Sequence, residues 1–192
     1  MRIQTKAVLL IGLLCSASAM AQSWSMAELM QSLAQQKSGK ASFVEKKYIG
    51  FIDQPIESSG ELSFTAPDRL EKRTLLPKQE SLVLEGDTLT IAQADKRPVK
   101  VNLQAHPEAA AFVESIRGTL AGDRAALEKF YRLELSGASD KWQLVLVPLQ
   151  ARMLKIVQRI RIEGTQSLVR RIVFEQADGD RSDMQISKVS EP

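Results

Sequence analysis

The sequence predicts a mainly β domain, in which about eleven antiparallel strands form one long meander with few helices. Three observations predict this fold class. Gly86-Asp87 is a two-residue hairpin signal, with Gly at the first position of the loop. Apolar and polar residues alternate on both sides of that loop and again after residue 141, as expected for strands with one apolar and one polar face. Most strands also follow one another with too little sequence between them for a helix.

Each element follows from a local sequence pattern. Helical spacing of apolar residues, with Ser25 and Glu28 as a capping box, predicts a first helix over residues 24–36. A change of period after the sixth strand predicts a helical pair, in which Pro107 occupies a first turn and Asp123 caps the second helix. Residues 148–154 are expected to form an irregular or helical connection. The strands are predicted at residues 41–52, 56–65, 69–75, 81–85, 88–93, 99–103, 131–135, 142–147, 157–163, 167–175 and 183–189.

The first 21 residues are predicted to be a signal peptide. Arg2 and Lys6 form a positive start, residues 7–14 are apolar, and Ala19-Met20-Ala21 is a cleavage signal. The apolar run is too short for a permanent membrane span. We therefore expect an exported protein in which residues 22–192 form a single domain.

Cys15 permits a second interpretation of the N-terminus, as a lipoprotein acylation site. Leu14 stands just before it, where such a site needs a small residue, and the cleavage signal at residues 19–21 fits a secretory signal better. Removal of a signal peptide would also remove the only cysteine of the sequence. Neither a disulfide nor thiol chemistry is then expected in the mature chain.

The balance of charges excludes several classes of function. The signal peptide holds two of the 26 basic residues and none of the 23 acidic ones, which leaves a mature net charge of +1. Such a chain has no strong field to attract nucleic acid or an anionic membrane. Aromatic residues make up 5% of the sequence and are not interleaved with basic ones, so we expect no nucleic-acid partner.

Residues suited to catalysis or metal binding are scarce. His106 is the only histidine, and without cysteines to join it a zinc site is not expected. No G-x-S-x-G segment marks a nucleophile for acyl transfer. We therefore predict no catalytic residue, no metal and no cofactor. A lipid-active enzyme is the alternative, and ester turnover that survives His106→Ala would reveal a site that the sequence hides.

A set of motifs runs in order through nearly the whole mature chain. They are KASFVEK at 40–46, GEL at 60–62, PDRL at 67–70, ESLVLEGDTL at 80–89, WQLVLVP at 142–148, IRI at 160–162, RRIVF at 170–174 and DGDRS at 178–182. In order and spacing they resemble the periplasmic outer-membrane lipoprotein carriers, and more closely the LolA-like relatives of that family. The resemblance implies an incomplete antiparallel β-barrel wrapped around helices, which close as an α lid over a cavity for acyl chains. It also implies a periplasmic, non-catalytic protein, which we expect to be a monomer.

Three departures from the carrier motifs predict a specialised relative with different cargo. Ala66 stands before the strand-breaking Pro67, where lipoprotein carriers often place an Arg tied to lid closure. Leu70 is followed by three charged residues at 71–73, where carriers tend to place aromatic residues. The chain also stops at Pro192, soon after its last predicted strand. The cargo implied is a lipoprotein, a free lipid or an acylated polyene.

Under this resemblance, the apolar inner face of the strands would line the cavity. The nominated cavity residues are Phe43, Leu62, Phe64, Leu70, Leu82, Leu84, Leu89, Ile91, Leu144, Leu146, Ile160, Ile162, Ile172 and Phe174. The nominated lid residues are Phe112, Ile116, Leu120, Met153 and Leu154. A half-barrel of this size has more apolar inner face than short helices can pack, and an acyl chain gains about 0.8 kcal/mol per buried CH₂. For any single residue ordinary core packing is the competing explanation, so the hypothesis belongs to the set.

Two groups of charged residues have open roles. Lys72 shares a face with Leu70 by strand alternation, so it either meets an anionic head group or belongs to a solvated edge. Arg159, Arg161 and Arg171 are expected to point outward, where they either dock an acidic partner or keep the sheet soluble.

The predicted function is a periplasmic carrier that takes acylated cargo from an inner-membrane exporter to an outer-membrane acceptor. The alternative is a lipid-sensing regulatory or accessory module of an envelope export or signalling complex. A stoichiometric complex with a signalling protein, without net lipid transfer, would favour that alternative.

Overall fold

The computed structural model describes residues 24–188, so the predicted signal peptide, with Cys15 and the cleavage signal, lies outside the described residues. The helices are α1 Met26–Ala34, a 3-10 helix Leu103–Ala105, α2 Pro107–Ala121, α3 Arg124–Glu128 and α4 Ala151–Leu154. The strands are β1 Ser38–Tyr48, β2 Ile56–Thr65, β3 Arg69–Leu76, β4 Glu80–Glu85, β5 Thr88–Gln93, β6 Val99–Asn102, β7 Tyr131–Ala138, β8 Lys141–Pro148, β9 Val157–Thr165, β10 Leu168–Gln176 and β11 Arg181–Lys188.

The eleven strands form one antiparallel sheet in the order β6-β5-β4-β3-β2-β1-β11-β10-β9-β8-β7. Strands that follow one another in sequence are neighbours within each half, and the pairing of β1 with β11 joins the two halves. The edges β6 and β7 are not paired with each other, so the sheet is open. The predicted fold class, a mainly β incomplete barrel with a few helices, is therefore confirmed.

The predicted helix caps and the first-turn proline are confirmed, although α1 is shorter than the predicted range of residues 24–36. The Ser25 backbone N–H donates to Glu28 Oε2 at 2.8 Å, and the Glu28 N–H donates to Ser25 Oγ at 3.2 Å, which completes the capping box of α1. Pro107 occupies the first position of α2. Asp123 Oδ1 accepts the Ala126 N–H at 2.9 Å and caps α3. These caps satisfy backbone donors that the first turn of a helix leaves without partners.

The predicted bounds were wrong at the end of the first strand. Alternation suggests a strand to residue 52, but β1 ends at Tyr48. The Gly50 N–H donates to Asp180 Oδ1 at 2.9 Å, so the chain leaves the sheet there and its backbone is bound by a side chain from the β10–β11 turn. β11 begins at Arg181, opposite Tyr48 and ahead of the predicted start at 183.

The helices cover the two halves of the sheet unequally. They pack on one face, which we call the inner face, and the inner face of β7–β10 shares one buried core with α1, α2, α3 and α4. We call this part the closed half. We call the inner face of β2–β6 the open half, because most of its apolar side chains are half-buried or exposed, although Phe64 and Leu84 are buried.

Close packing fixes the closed half. Trp142 is buried on β8, and a Cβ atom added at Gly164 of β9 would lie 2.2 Å from its indole ring. The buried Tyr131 hydroxyl donates to the Ala111 carbonyl of α2 at 2.9 Å. Burial raises the pKa of Tyr131 far above its ordinary range, so the hydroxyl is a permanent donor.

Candidate functional site

Strand register brings half of the nominated cavity residues together on the open half. Residues that are directly paired across antiparallel strands point to the same face, and two neighbouring rows can be followed across β2, β3, β4 and β5. The first row is Phe64, Leu70, Leu84 and Leu89, and the second is Leu62, Lys72, Leu82 and Ile91. Seven of these eight side chains are apolar. They form a continuous surface with one charged group in it.

Another six nominated cavity residues lie in the closed half. They are Leu144, Leu146, Ile160, Ile162, Ile172 and Phe174, all on the inner face and all buried against the helices. Phe43 is also buried and lies on β1, at the border between the two halves. The structure therefore places the nominated set on one face but divides it between a packed core and a half-exposed surface.

The helix α2 crosses the inner face above this border. On one side, the ring of Phe112 lies 4.6 Å from the ring of Phe174 on β10. Ile116 and Leu120 line a void of about 10 Å³ between α2 and the strands β9 and β10. That volume holds no more than one water molecule, so α2 is in contact with the closed half. Phe112 is nevertheless 42% exposed at the edge of the contact.

On the other side, one arginine joins α2 to the β4–β5 hairpin. Arg117 Nη1 donates to the Gly86 carbonyl at 2.8 Å, at the turn where Gly86 has a φ of +56°. Arg117 Nη2 also donates to Glu114 Oε2 at 2.7 Å, and Glu114 is almost fully buried. The more exposed Asp87 carboxylate lies 4.0 Å from the guanidinium group. We call this set of contacts the Arg117 latch.

The remaining nominated residues lie at the edge of the site. Met153 of α4 is buried in the core, whereas its neighbour Leu154 is 40% exposed and points away from the core. His106 is exposed and precedes α2 without capping it through its side chain. Among residues 24–188, no group of three or more His, Cys, Asp or Glu side chains is arranged to hold a metal ion.

A buried ion pair interrupts the apolar inner face near Phe43. Lys72 Nζ lies 2.5 Å from Glu45 Oε2 and 4.8 Å from the centre of the Phe43 ring. The other carboxylate oxygen of Glu45 accepts a hydrogen bond from Ser182 Oγ at 2.5 Å. The Glu45 side chain is 6% exposed and that of Lys72, on β3, is 23% exposed. We call Glu45, Lys72 and Ser182 the inner polar cluster.

The inner polar cluster keeps Glu45 ionised. Burial alone would raise the pKa of the Glu45 carboxyl, but the charge and hydrogen bond of Lys72, with the hydrogen bond from Ser182, lower it overall. The sequence prediction for this region missed Glu45. Strand alternation could have found it, because Glu45 has the same parity as Phe43 on β1.

Gly60 allows Lys72 to reach Glu45. The two residues stand on β3 and β1, with β2 between them. Gly60 lies opposite Phe43 on β2, and it contributes no side chain to the inner face between the charged groups. A Cβ atom at Gly60 would lie 1.9 Å from the Arg73 carbonyl oxygen, so the close approach of β3 requires glycine here.

On the outer face of β9–β11, arginines are paired with acidic residues. Arg159 Nε and Arg161 Nη2 lie 2.5 and 2.8 Å from the Glu175 carboxylate. Arg171 Nη2 lies 2.6 Å from Asp183 Oδ2, and this hydrogen bond lowers the pKa of Asp183 although partial burial opposes it. The three arginines point outward, as expected, and each is paired with an acidic residue.

A larger groove lies on the outer face. Its volume is about 380 Å³, and its side chains include Ser42, Val44, Glu61 and Gln185. It is partly open to solvent and its lining is partly polar, so an acyl chain bound there would stay in contact with water along one side.

Comparisons with known proteins point to one family. The family model described as outer membrane lipoprotein carrier protein LolA-like matches residues 17–188. A LolA superfamily protein of Nitrosomonas europaea is similar in structure, with 12% identity, a TM-score of 0.48, and coverage of 87% of this chain and 92% of that chain. A MucA/MucB complex of Pseudomonas aeruginosa matches with 17% identity and a TM-score of 0.46 over 86% of this chain and 56% of that chain. No curated protein sequence matches the chain. Within residues 24–188, no helix is long and apolar enough to cross a membrane.

Proposed function

We propose that this chain, which belongs to the outer membrane lipoprotein carrier protein LolA-like family, carries acylated cargo through the periplasm towards the outer membrane. At the level of the family it is a lipid-binding periplasmic carrier of a non-enzymatic fold. The observation that carries the proposal is the position of α2, which crosses an apolar inner face and is joined to the open half by the Arg117 latch. Acyl chains of a lipoprotein, a lipid or an acylated polyene would lie between α2 and that face.

Opening of the lid is part of this proposal. The void under α2 holds about 10 Å³, so an acyl chain enters only when α2 moves away from the sheet. Burial of about ten methylene groups contributes about 8 kcal/mol. The hydrogen bond from Arg117 to the hairpin contributes about 1.5–3 kcal/mol. Opening also loses the packing of α2 on the closed half and the hydrogen bond from Tyr131 to Ala111. Cargo shifts α2 to an open position only if it binds the open state better than the closed one by more than the sum of these contributions.

The first experiment is native mass spectrometry on the mature protein, purified from a periplasm without detergent. We expect a bound lipid or acylated molecule whose mass identifies the cargo. A ligand-free protein that also fails to take up a fluorescent fatty acid would refute the carrier proposal.

The structure selects the variants for a second test. Leu84 and Ile162 are 3% and 1% exposed, so a glutamate at either position would test folding as much as binding. Ile91 is half-buried on the inner face of β5, and the adjacent Thr90, opposite Lys100, is on the outer face. We expect Ile91→Glu to weaken fatty-acid binding by about tenfold or more, and Thr90→Glu to leave it unchanged. If both variants fold and bind the fatty acid equally well, the assignment of the acyl site to the open half is refuted.

A transfer assay separates carriage from regulation. Donor vesicles with a fluorescent lipid and acceptor vesicles without it are mixed with the protein, and the appearance of lipid in the acceptor is measured. We expect the protein to accelerate transfer. Tight lipid binding without any acceleration would favour a sensor that reports bound lipid to a partner protein over a carrier that works with an inner-membrane exporter and an outer-membrane acceptor.

A further inference from the structure

We infer that the inner polar cluster binds the neutral carbonyl group at the head of an acyl chain, with Lys72 as the hydrogen-bond donor. This inference rests on the proposed function, because it assigns the polar end of the cargo to a place on the same inner face. It identifies the recognised chemistry as an ester or amide carbonyl rather than a free anion.

The position of Lys72 in the sheet supports this role. Its row on the inner face is otherwise apolar, with Leu62 on one side and Leu82 on the other. A charged residue at a position where strand alternation calls for an apolar one is expected mainly at functional sites. Lys72 is also the member of the cluster that is partly exposed, and it stands on β3, in the open half.

The Lys72 ammonium group has more hydrogen-bond donors than Glu45 uses. An ammonium group carries three N–H donors, and Glu45 is the acceptor recorded for Lys72 among residues 24–188. When an acyl chain covers the inner face of the open half, the remaining donors lose their contact with water. An unpaired donor is costly in such an apolar place, so a ligand that brings its own acceptor is favoured over one that does not.

The charge balance of the cluster selects the kind of acceptor. The ionised Glu45 is buried within 2.5 Å of Lys72 Nζ, so the pair as a whole is neutral. A carboxylate or phosphate bound to Lys72 would add a second negative charge beside Glu45 in a site with little water to screen it. A carbonyl oxygen accepts the hydrogen bond without adding charge.

Two ligands that differ only in the carbonyl group test the inference. They are 1-lauroylglycerol, an ester, and 1-O-dodecylglycerol, the matching ether, and their affinities are measured by displacement of bound N-phenyl-1-naphthylamine. Because a hydrogen bond to a charged donor is stronger than one between neutral groups, we expect wild-type protein to bind the ester about tenfold more tightly than the ether. Lys72→Met should weaken ester binding to the level of the ether and leave ether binding unchanged. Lys100→Met, on the outer face of β6, should retain the preference and is the matched control.

Each other result overturns the inference in a recognisable way. Equal binding of ester and ether by wild-type protein would refute the carbonyl site while the proposed carrier function stands. No binding of either ligand would refute both. An equal loss of both ligands in Lys72→Met would assign the ion pair a purely structural role.

A second variant covers the case in which Lys72→Met fails to fold. Glu45→Gln is nearly isosteric and leaves Lys72 without its counter-charge. We expect its preference for laurate over 1-lauroylglycerol to rise by about tenfold relative to wild type. An unchanged ratio would show that Lys72 does not meet the head of the ligand.

Discussion

Breaking the Arg117 latch should open the lid without unfolding the protein. The variant is Glu114→Gln combined with Arg117→Met. It removes the donor to the Gly86 carbonyl, and it avoids a charged Glu114 left buried without a partner. The ion pair between Arg117 and Glu114 lies within α2, so it stabilises the helix itself rather than the docking of the helix on the sheet.

The structure gives the size of the effect. One hydrogen bond from a charged donor, about 1.5–3 kcal/mol, joins α2 to the hairpin. The Arg117 side chain is only 21% exposed, so solvent screens this interaction little. Loss of about 1.5 kcal/mol from the docking of α2 raises the population of the open state about tenfold. Hydrogen exchange over residues 107–121 and the release rate of a bound fluorescent fatty acid should both rise by that factor.

The control for this variant is the exposed pair on α3. Arg124 and Glu128 lie 2.7 Å apart with side chains that are 52% and 46% exposed, and such pairs contribute little to stability. Arg124→Met with Glu128→Gln should change neither exchange nor release. The reasoning is refuted if exchange in α2 and ligand release do not change in the latch variant. It is also refuted if strands β8 and β9 lose protection to the same extent, since the effect would then be global.

Two further predictions concern stability. Gly164→Ala should lower the free energy of unfolding in urea by about 1–3 kcal/mol, because the new methyl group overlaps the Trp142 ring; an unchanged midpoint would contradict the packing. The pKa of Glu45 is lower in the folded than in the unfolded protein. Its contribution to the free energy of unfolding is therefore complete above the ordinary Glu pKa of about 4.3 and is lost as pH falls through the lowered pKa. Glu45→Gln should therefore lose less stability than wild type between about pH 6 and about pH 3, measured by urea unfolding, and equal losses would argue against the ion pair.

The strands could be predicted because each has one polar and one apolar face. β2 and β5, at Ile56–Thr65 and Thr88–Gln93, begin and end at the predicted residues. The pairing of β1 with β11 could not be predicted in the same way. It joins residues more than a hundred positions apart, such as Phe43 and Ile186, and local alternation carries no information on which distant strand becomes a neighbour.

The division of the inner face into an open and a closed half could not be predicted from the sequence either. Ile91 and Ile162 stand in equally alternating strands, yet one is half-buried and the other is fully buried. The difference depends on where the helices lie, which tertiary packing decides. Lys72 shows the same limit, because strand alternation predicted its face but not its partner, Glu45, two strands away.

The packing of α2 indicates which part of the lid moves. Its C-terminal end is tightly held: a Cβ atom at Gly118 would lie 3.0 Å from the Leu127 side chain, and one at Gly122 would lie 2.1 Å from the Met30 carbonyl oxygen. Its N-terminal end is less closely packed, because Phe112 is 42% exposed and the N-cap side chain makes no hydrogen bond. This end is nevertheless held by the hydrogen bond from the Tyr131 hydroxyl to the Ala111 carbonyl, at 2.9 Å. Lifting of Phe112 from Phe174 would therefore require that hydrogen bond to break as well as the latch, while α1 and α3 keep the other end of α2 in place.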